Sequence, residues 1–164
     1  MTARPRRTAA LLLPALAPAL ALLLGGCSST VEIASEPMDD AERAACEALV
    51  ADLPDELFEQ ERVEVSGGVG AAWGDDPVVL TCGAPQPEEY DPFARCSEID
   101  GVGWFIPGAQ MKDPDSDIEM TVLSHAPRVR LDLPAEHRFK GPDTHLRTLA
   151  VPIKEHLDEV MPCT

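Results

Sequence analysis

The sequence predicts an α+β domain: an antiparallel sheet of about five strands, with an N-terminal and a C-terminal helix packed on one face and two disulfides. Three observations carry this. Apolar residues recur at helical spacing near each end of the domain. Between those ends lie short alternating or β-branched runs separated by glycine- and proline-bearing turns. Strands grouped between helices, rather than alternating with them, suit helices laid on an antiparallel sheet.

The first helix is announced by Asp39 as N-cap with Glu42 three residues on, the spacing of a capping box. Cys46, Leu49, Val50 and Leu53 form its buried stripe, and Pro54 ends it near Leu53 because a residue before proline avoids the α region. Arg62–Val65 alternates and reads as a short strand. Ser66-Gly67-Gly68-Val69-Gly70 is glycine-rich but is neither Gly-x-Gly-x-x-Gly nor a lysine-bearing phosphate loop, so it reads as a strand connection. Pro77–Cys82 is a buried strand, followed by a polar, proline-rich loop from Gly83 to Arg95. Asp100-Gly101 between apolar residues is a type I′ hairpin signal. Asp117–Leu123 and Arg128–Leu133 are further strands. The latter turns Val129, Leu131 and Leu133 to one side and Arg128, Arg130 and Asp132 to the other. The last helix spans about Asp143 to Val160, with Pro152 expected to kink or restart it.

Ahead of the domain, Arg4, Arg6 and Arg7 precede an apolar run that ends in Leu23-Leu24-Gly25-Gly26-Cys27. This has the parts of a secretory signal and resembles the lipobox of bacterial lipoproteins. The run holds Pro14 and Pro18 and falls short of the roughly 20 apolar residues of a spanning helix. Residues 1–26 are therefore expected to be a signal peptide and residues 27–38 a lipidated tether. Residues 39–164 are then a single extracytoplasmic domain held to the cell membrane by lipid on Cys27.

An exported chain has oxidised cysteines. Cys46, Cys82, Cys96 and Cys163 should form two disulfides, which four cysteines can connect in three ways. Cys82–Cys96 and Cys46–Cys163 is the expected pairing. The first closes only a polar loop, and the second ties the two helices together. Cys46–Cys82 with Cys96–Cys163 is the alternative.

The 164 residues carry 13 basic and 29 acidic side chains, a formal charge of −16. Removing residues 1–26 takes three of the basic residues and none of the acidic ones, leaving −19. Such a chain is not built to hold nucleic acid, and its natural counterparts are cations or basic envelope proteins. The spacing of Asp113, Asp115, Asp117 and Glu119 suits a hard cation. However, Ile118 and Ser124 stand where a calcium loop of the EF-hand type has glycine and glutamate, so a solvated acidic turn is the expectation. Arg128, Arg130, Arg138 and Lys140 could form a basic stripe for an anionic wall component or an acidic partner. The competing reading is ion pairing within the domain. His125, His137, His145 and His156 lack metal-ligand spacing. No Gly-x-Ser-x-Gly or Ser-x-x-Lys nucleophile signature is present. No cofactor and no catalytic residue is expected.

Several pieces together carry a resemblance: Cys46-x-x-Leu49 before Leu53-Pro54, Ala72-Trp73-Gly74-Asp75 leading into Val78–Gly83, Asp100-Gly101-Val102-Gly103-Trp104, and Pro162-Cys163. Over most of residues 46–163 the chain resembles an actinobacterial lipoprotein family known as domain of unknown function 3515. The resemblance implies a cell-envelope location and no activity. The functional expectation is a non-catalytic binding or envelope-assembly module. The alternatives are an enzyme acting on an envelope polymer through an unidentified carboxylate site and a weak divalent-cation-binding module.

Replacing Cys27 with serine should abolish lipidation and leave an uncleaved precursor. Metabolic labelling with palmitate checks this, and a labelled Cys27→Ser protein would contradict the anchor.

Overall fold

The structure is a computed structural model and describes residues 30–91 and 94–161. The expected signal peptide, Cys27 and Cys163 lie outside the described residues. The first strand, β1 (Val31–Ile33), runs parallel to β4 (Val65–Gly67). Helix α1 (Asp40–Ala51) begins with the expected capping box: Asp39 Oδ1 accepts from the backbone of Ala41 and Glu42, and Glu42 Oε2 accepts from Asp39 N. The helix has no basic residue in its last turn. Arg62 supplies one from a strand, its guanidinium donating to the carbonyls of Val50 and Leu53. That is where a helix leaves carbonyls unpaired and favours a cation.

Eight strands form one antiparallel sheet instead of the expected five. In chain order they are β2 (Glu56–Leu57), β3 (Gln60–Val63), β5 (Val69–Trp73), β6 (Val78–Cys82), β7 (Ser97–Ile99), β8 (Val102–Phe105), β9 (Ile118–Val122) and β11 (Val129–Leu133). In space the order is β2-β3-β5-β6-β11-β9-β8-β7. A second small sheet pairs β10 (His125–Ala126) with β12 (Asp158–Glu159). The added strands are short or lack β-forming composition. β5 reads Val-Gly-Ala-Ala-Trp, and its glycine answers to space: a Cβ on Gly70 would lie 2.1 Å from the Leu80 carbonyl oxygen. The Asp100-Gly101 turn joins β7 to β8 with both residues at positive φ, 51° and 82°, as type I′ requires.

Register places Val129 and Leu131 of β11 opposite Cys82 and Leu80 of β6, and Leu131 and Leu133 opposite Met120 and Ile118 of β9. These residues form a core with Cys46 and Leu49 of α1, and with Leu146, Leu149, Ala150 and Ile153 of α3 (Pro142–His156). Each fully buried leucine or isoleucine contributes about 1.5–3 kcal/mol. Pro152 neither breaks nor restarts α3, because it is itself buried between Leu149 and Ile153 on the stripe the core holds. The helix stops at His156, short of Val160, since Leu157 turns extended and Asp158–Glu159 joins β10. Between β8 and β9 a short helix, α2 (Gly108–Lys112), was not foreseen; its five residues are too few to show a period.

Among the described residues the disulfide is Cys46–Cys82, with a Cα–Cα distance of 5.7 Å. This corrects the expected Cys82–Cys96 and Cys46–Cys163 pairing. α1 lies across the sheet with Cys46 facing down, and Cys82 at the end of β6 faces up into the same core. A loop closed cheaply in sequence thus yields to two sulfurs brought together by packing. Cys96 is also disulfide-bonded.

Residues 31–38, read from sequence as part of a tether, lie along the sheet. Ser35 Oγ donates to the Cys82 carbonyl at 2.7 Å and accepts from Val69 N at 2.9 Å, and Glu36 N donates to Gly83 O.

Replacing Cys46 and Cys82 together by alanine should lower unfolding free energy by about 3–4 kcal/mol in the chain-entropy picture, given their separation of 36 residues. Urea denaturation of both proteins measures it, and an unchanged midpoint would contradict a bridge that constrains the unfolded chain.

Candidate functional site

A cleft of about 620 Å³ opens where the segment before α1, the loop after β6 and the β10–β12 pair meet. That volume falls within the range of small-ligand sites. Its apolar walls come from Met38, Tyr90, Leu123, Val160 and Met161. Val160 is 61% and Met161 46% exposed, so its rim presents apolar surface to solvent. Glu36, Glu42, His125 and Arg128 line it as well.

Each wall has a local cause. The capping box orients Glu42, leaving one carboxylate oxygen after Oε2 accepts from Asp39. Met38 Sδ lies 3.5 Å from Cys46 Sγ, so the bridge region seats the segment before α1. Tyr90 sets its edge against Phe105, with ring centroids 6.0 Å apart.

His125 is the chemical centre. It is 5% exposed and Ser124 2%. Ser124 Oγ accepts from Gly103 N at 2.8 Å and lies 2.7 Å from His125 Nδ1. Burial lowers the pKa of His125 below the usual 6.5, with Glu159 opposing and Lys154 assisting that shift. A neutral imidazole has one donor and one acceptor nitrogen. The Gly103 amide donates to the serine oxygen; when the serine hydroxyl in turn donates to Nδ1, the ring proton rests on Nε2. Nε2 makes no hydrogen bond or ion pair among the described residues. Ser124 does not line the cleft, and its hydroxyl is committed on both sides. It fixes the tautomer of its neighbour and is poorly placed as a nucleophile.

The residues proposed from sequence are dispersed. Asp113 Oδ1 accepts from Asp115 N, Asp117 Oδ1 accepts from Ala135 N, and Glu119 lies in β9. Arg128 lines the cleft and donates to the Ala84 carbonyl at 3.4 Å. Arg130 pairs with Asp132, Nε to Oδ1 at 2.9 Å, and borders a separate cavity of about 430 Å³ with Glu119 and Gln110. Arg138 donates to the carbonyls of Gln110, Asp113 and Ser116, locking α2 to the turn after it. Lys140 is exposed. The four cations thus serve separate places. Among the described residues the group with metal-like geometry is Asp52, Glu155 and His156, ligand atoms within 4.8 Å of one another. His156 Nε2 lies 2.5 Å from Asp52 Oδ2 and joins the ends of α1 and α3. His137 and His145 pack around buried Phe58, His145 stacked at 4.1 Å and His137 tilted at 6.3 Å.

Sequence reasoning placed His125 with the other histidines because nothing in Ser124-His125 has a motif's spacing. The signal lies in tertiary contact with Gly103, 21 residues away.

Among known proteins, the chain matches the family described as Protein of unknown function (DUF3515) over residues 8–162, and it belongs to that family. No curated protein matches it, and no solved structure does.

In the unfolded chain His125 takes up its proton near 6.5, and in the folded protein only at lower pH. Between those values the unfolded state binds more protons, so stability rises with pH. The denaturation midpoint should therefore fall as pH drops from about 7 toward about 5. The His125→Gln protein should lose that part of the slope. Equal slopes in the two proteins would contradict a buried neutral imidazole.

Proposed function

We propose that this protein is a lipid-anchored module of the cell envelope that binds a ligand in the cleft at His125 without chemically transforming it. The observation that carries this is a nine-tenths-buried histidine that lines the cleft and whose Nε2 makes no hydrogen bond among the described residues. A ligand group can take the place of the solvent that such a ring nitrogen meets. The Cys27 lipobox supports the anchor, and the acidic mature chain suits exported solubility. The second disulfide of this reading joins Cys96 to Cys163, the cysteines left once Cys46 pairs with Cys82. It would pin the chain beyond α3 to the strand region before β7.

The Asp52–Glu155–His156 group favours a weak cation site as a second reading, since carboxylates and imidazole are ordinary zinc ligands. All three are at the surface, and the His156–Asp52 contact already has a structural use in joining two helix ends.

Titration of the full chain in detergent micelles with small carboxylic acids, amides and amines tests the cleft. Side-chain resonances of labelled histidine report the site. Binding fragments should shift His125 and leave His145 in place, and His125→Phe should abolish the binding. Fragments that bind while leaving His125 unmoved would overturn the assignment.

A further inference from the structure

Two nitrogen-bearing side chains line the same cleft. His125 is engaged at Nδ1 by Ser124 Oγ, which accepts from Gly103 N–H; with the serine hydroxyl donating to Nδ1, Nε2 carries the donor left for a ligand. Arg128 lines the cleft as well, and its guanidinium makes one long bond to a backbone carbonyl. Arg128 makes no ion pair with a described carboxylate, although the chain has 29 acidic residues. A guanidinium fork and a neighbouring N–H are matched by a carboxylate, which accepts at two oxygens. Glu36 and Glu42 also line the cleft, and both are exposed. Glu36 is held in position by its backbone bond to Gly83, and Glu42 by the capping box.

These placements constrain the ligand's charge. A strongly negative chain repels a multiply charged anion at long range. A cation alone would leave Arg128 and His125 without acceptors. A ligand with a carboxylate at one end and an ammonium at the other satisfies both the basic and the acidic lining residues and approaches without net charge. We infer that the cleft binds the zwitterionic form of an amino acid or short peptide. The carboxylate lies on His125 Nε2 and Arg128, and the ammonium lies toward Glu36 and Glu42. Apolar side chains of the ligand would face Met38, Leu123 and Tyr90. This inference rests on the cleft being the binding site.

The probes are the dipeptide Ala-Ala, its C-terminal amide, its N-acetyl form and inorganic phosphate. Each is titrated into the full chain in micelles, with the histidine resonances as reporter. Ala-Ala should bind and shift His125. Amidation should weaken binding at least tenfold, and acetylation severalfold. Arg128→Gln should remove the preference for the free carboxylate, whereas Arg128→Lys should retain part of it. Glu36→Gln should reduce the preference for the free amine and leave the carboxylate preference intact. In Ser124→Ala, the ring nitrogens should report a mixture of tautomers and binding should weaken. Equal binding of the amide and the free dipeptide would overturn the inference while leaving the cleft a ligand site. So would phosphate binding as tightly as Ala-Ala, or no binding by any of the peptides. Small fragments failing to reach His125 would remove the cleft reading itself.

Discussion

The Cys46–Cys82 bridge is the constraint on which the rest of the architecture depends. It fixes α1 to β6, a strand near the middle of the eight-stranded sheet. The consequences run outward from both sulfurs. Met38 lies against Cys46, which orients the segment before the helix. Ser35 donates to the Cys82 carbonyl, so the same segment is held to the strand that carries the other half of the bridge. Gly83 follows at φ 76°, and a Cβ there would lie 2.7 Å from Met38 Sδ. Glycine therefore lets the segment and the loop after β6 approach closely enough to form two walls of one cleft. A small domain with a limited core gains the most from such a cross-link, because it removes unfolded conformations without needing more buried area.

The third wall depends on a different kind of constraint. β10 is only two residues long and is held by pairing with β12, where the chain leaves α3. Val160 N donates to the Ser124 carbonyl, which adds a backbone tie immediately before His125. The polar atoms around Ser124 are then engaged on both sides: its oxygen accepts from Gly103 N and shares a proton with His125 Nδ1. Low local dielectric strengthens such a chain and penalises any member left unpaired. The unpaired member is Nε2, at the surface of the cleft. A buried network with one free end is a local departure from complete pairing, and such departures concentrate where a protein meets a ligand.

The two long helices, the Asp100-Gly101 hairpin and the strands β6, β9 and β11 were legible because each has a strong local cause. The capping box, the 3.6-residue stripe, the type I′ dipeptide and period-two alternation act over fewer than about 18 residues. β5 was not legible, since glycine and alanine are poor strand formers and this strand exists by virtue of its neighbours. Its Trp73 donates Nε1–H to the Pro54 carbonyl at 2.9 Å and is fully buried. β1 was missed for the same reason. Three residues beside β4 have no periodicity to read, and Ser35 earns its place only once Val69 and Cys82 are near.

The α+β class, the two long helices, the strong strands and the acidic character are readable from the chain alone. So is the expectation of an exported chain with oxidised cysteines, because composition and short-range patterns decide these. The disulfide partner of Cys46, the number of strands, the separation of the four basic residues and the selection of His125 from four histidines emerge with packing. Each depends on groups far apart in the chain that meet after packing, and the energy of such a meeting leaves no periodicity in the sequence on either side.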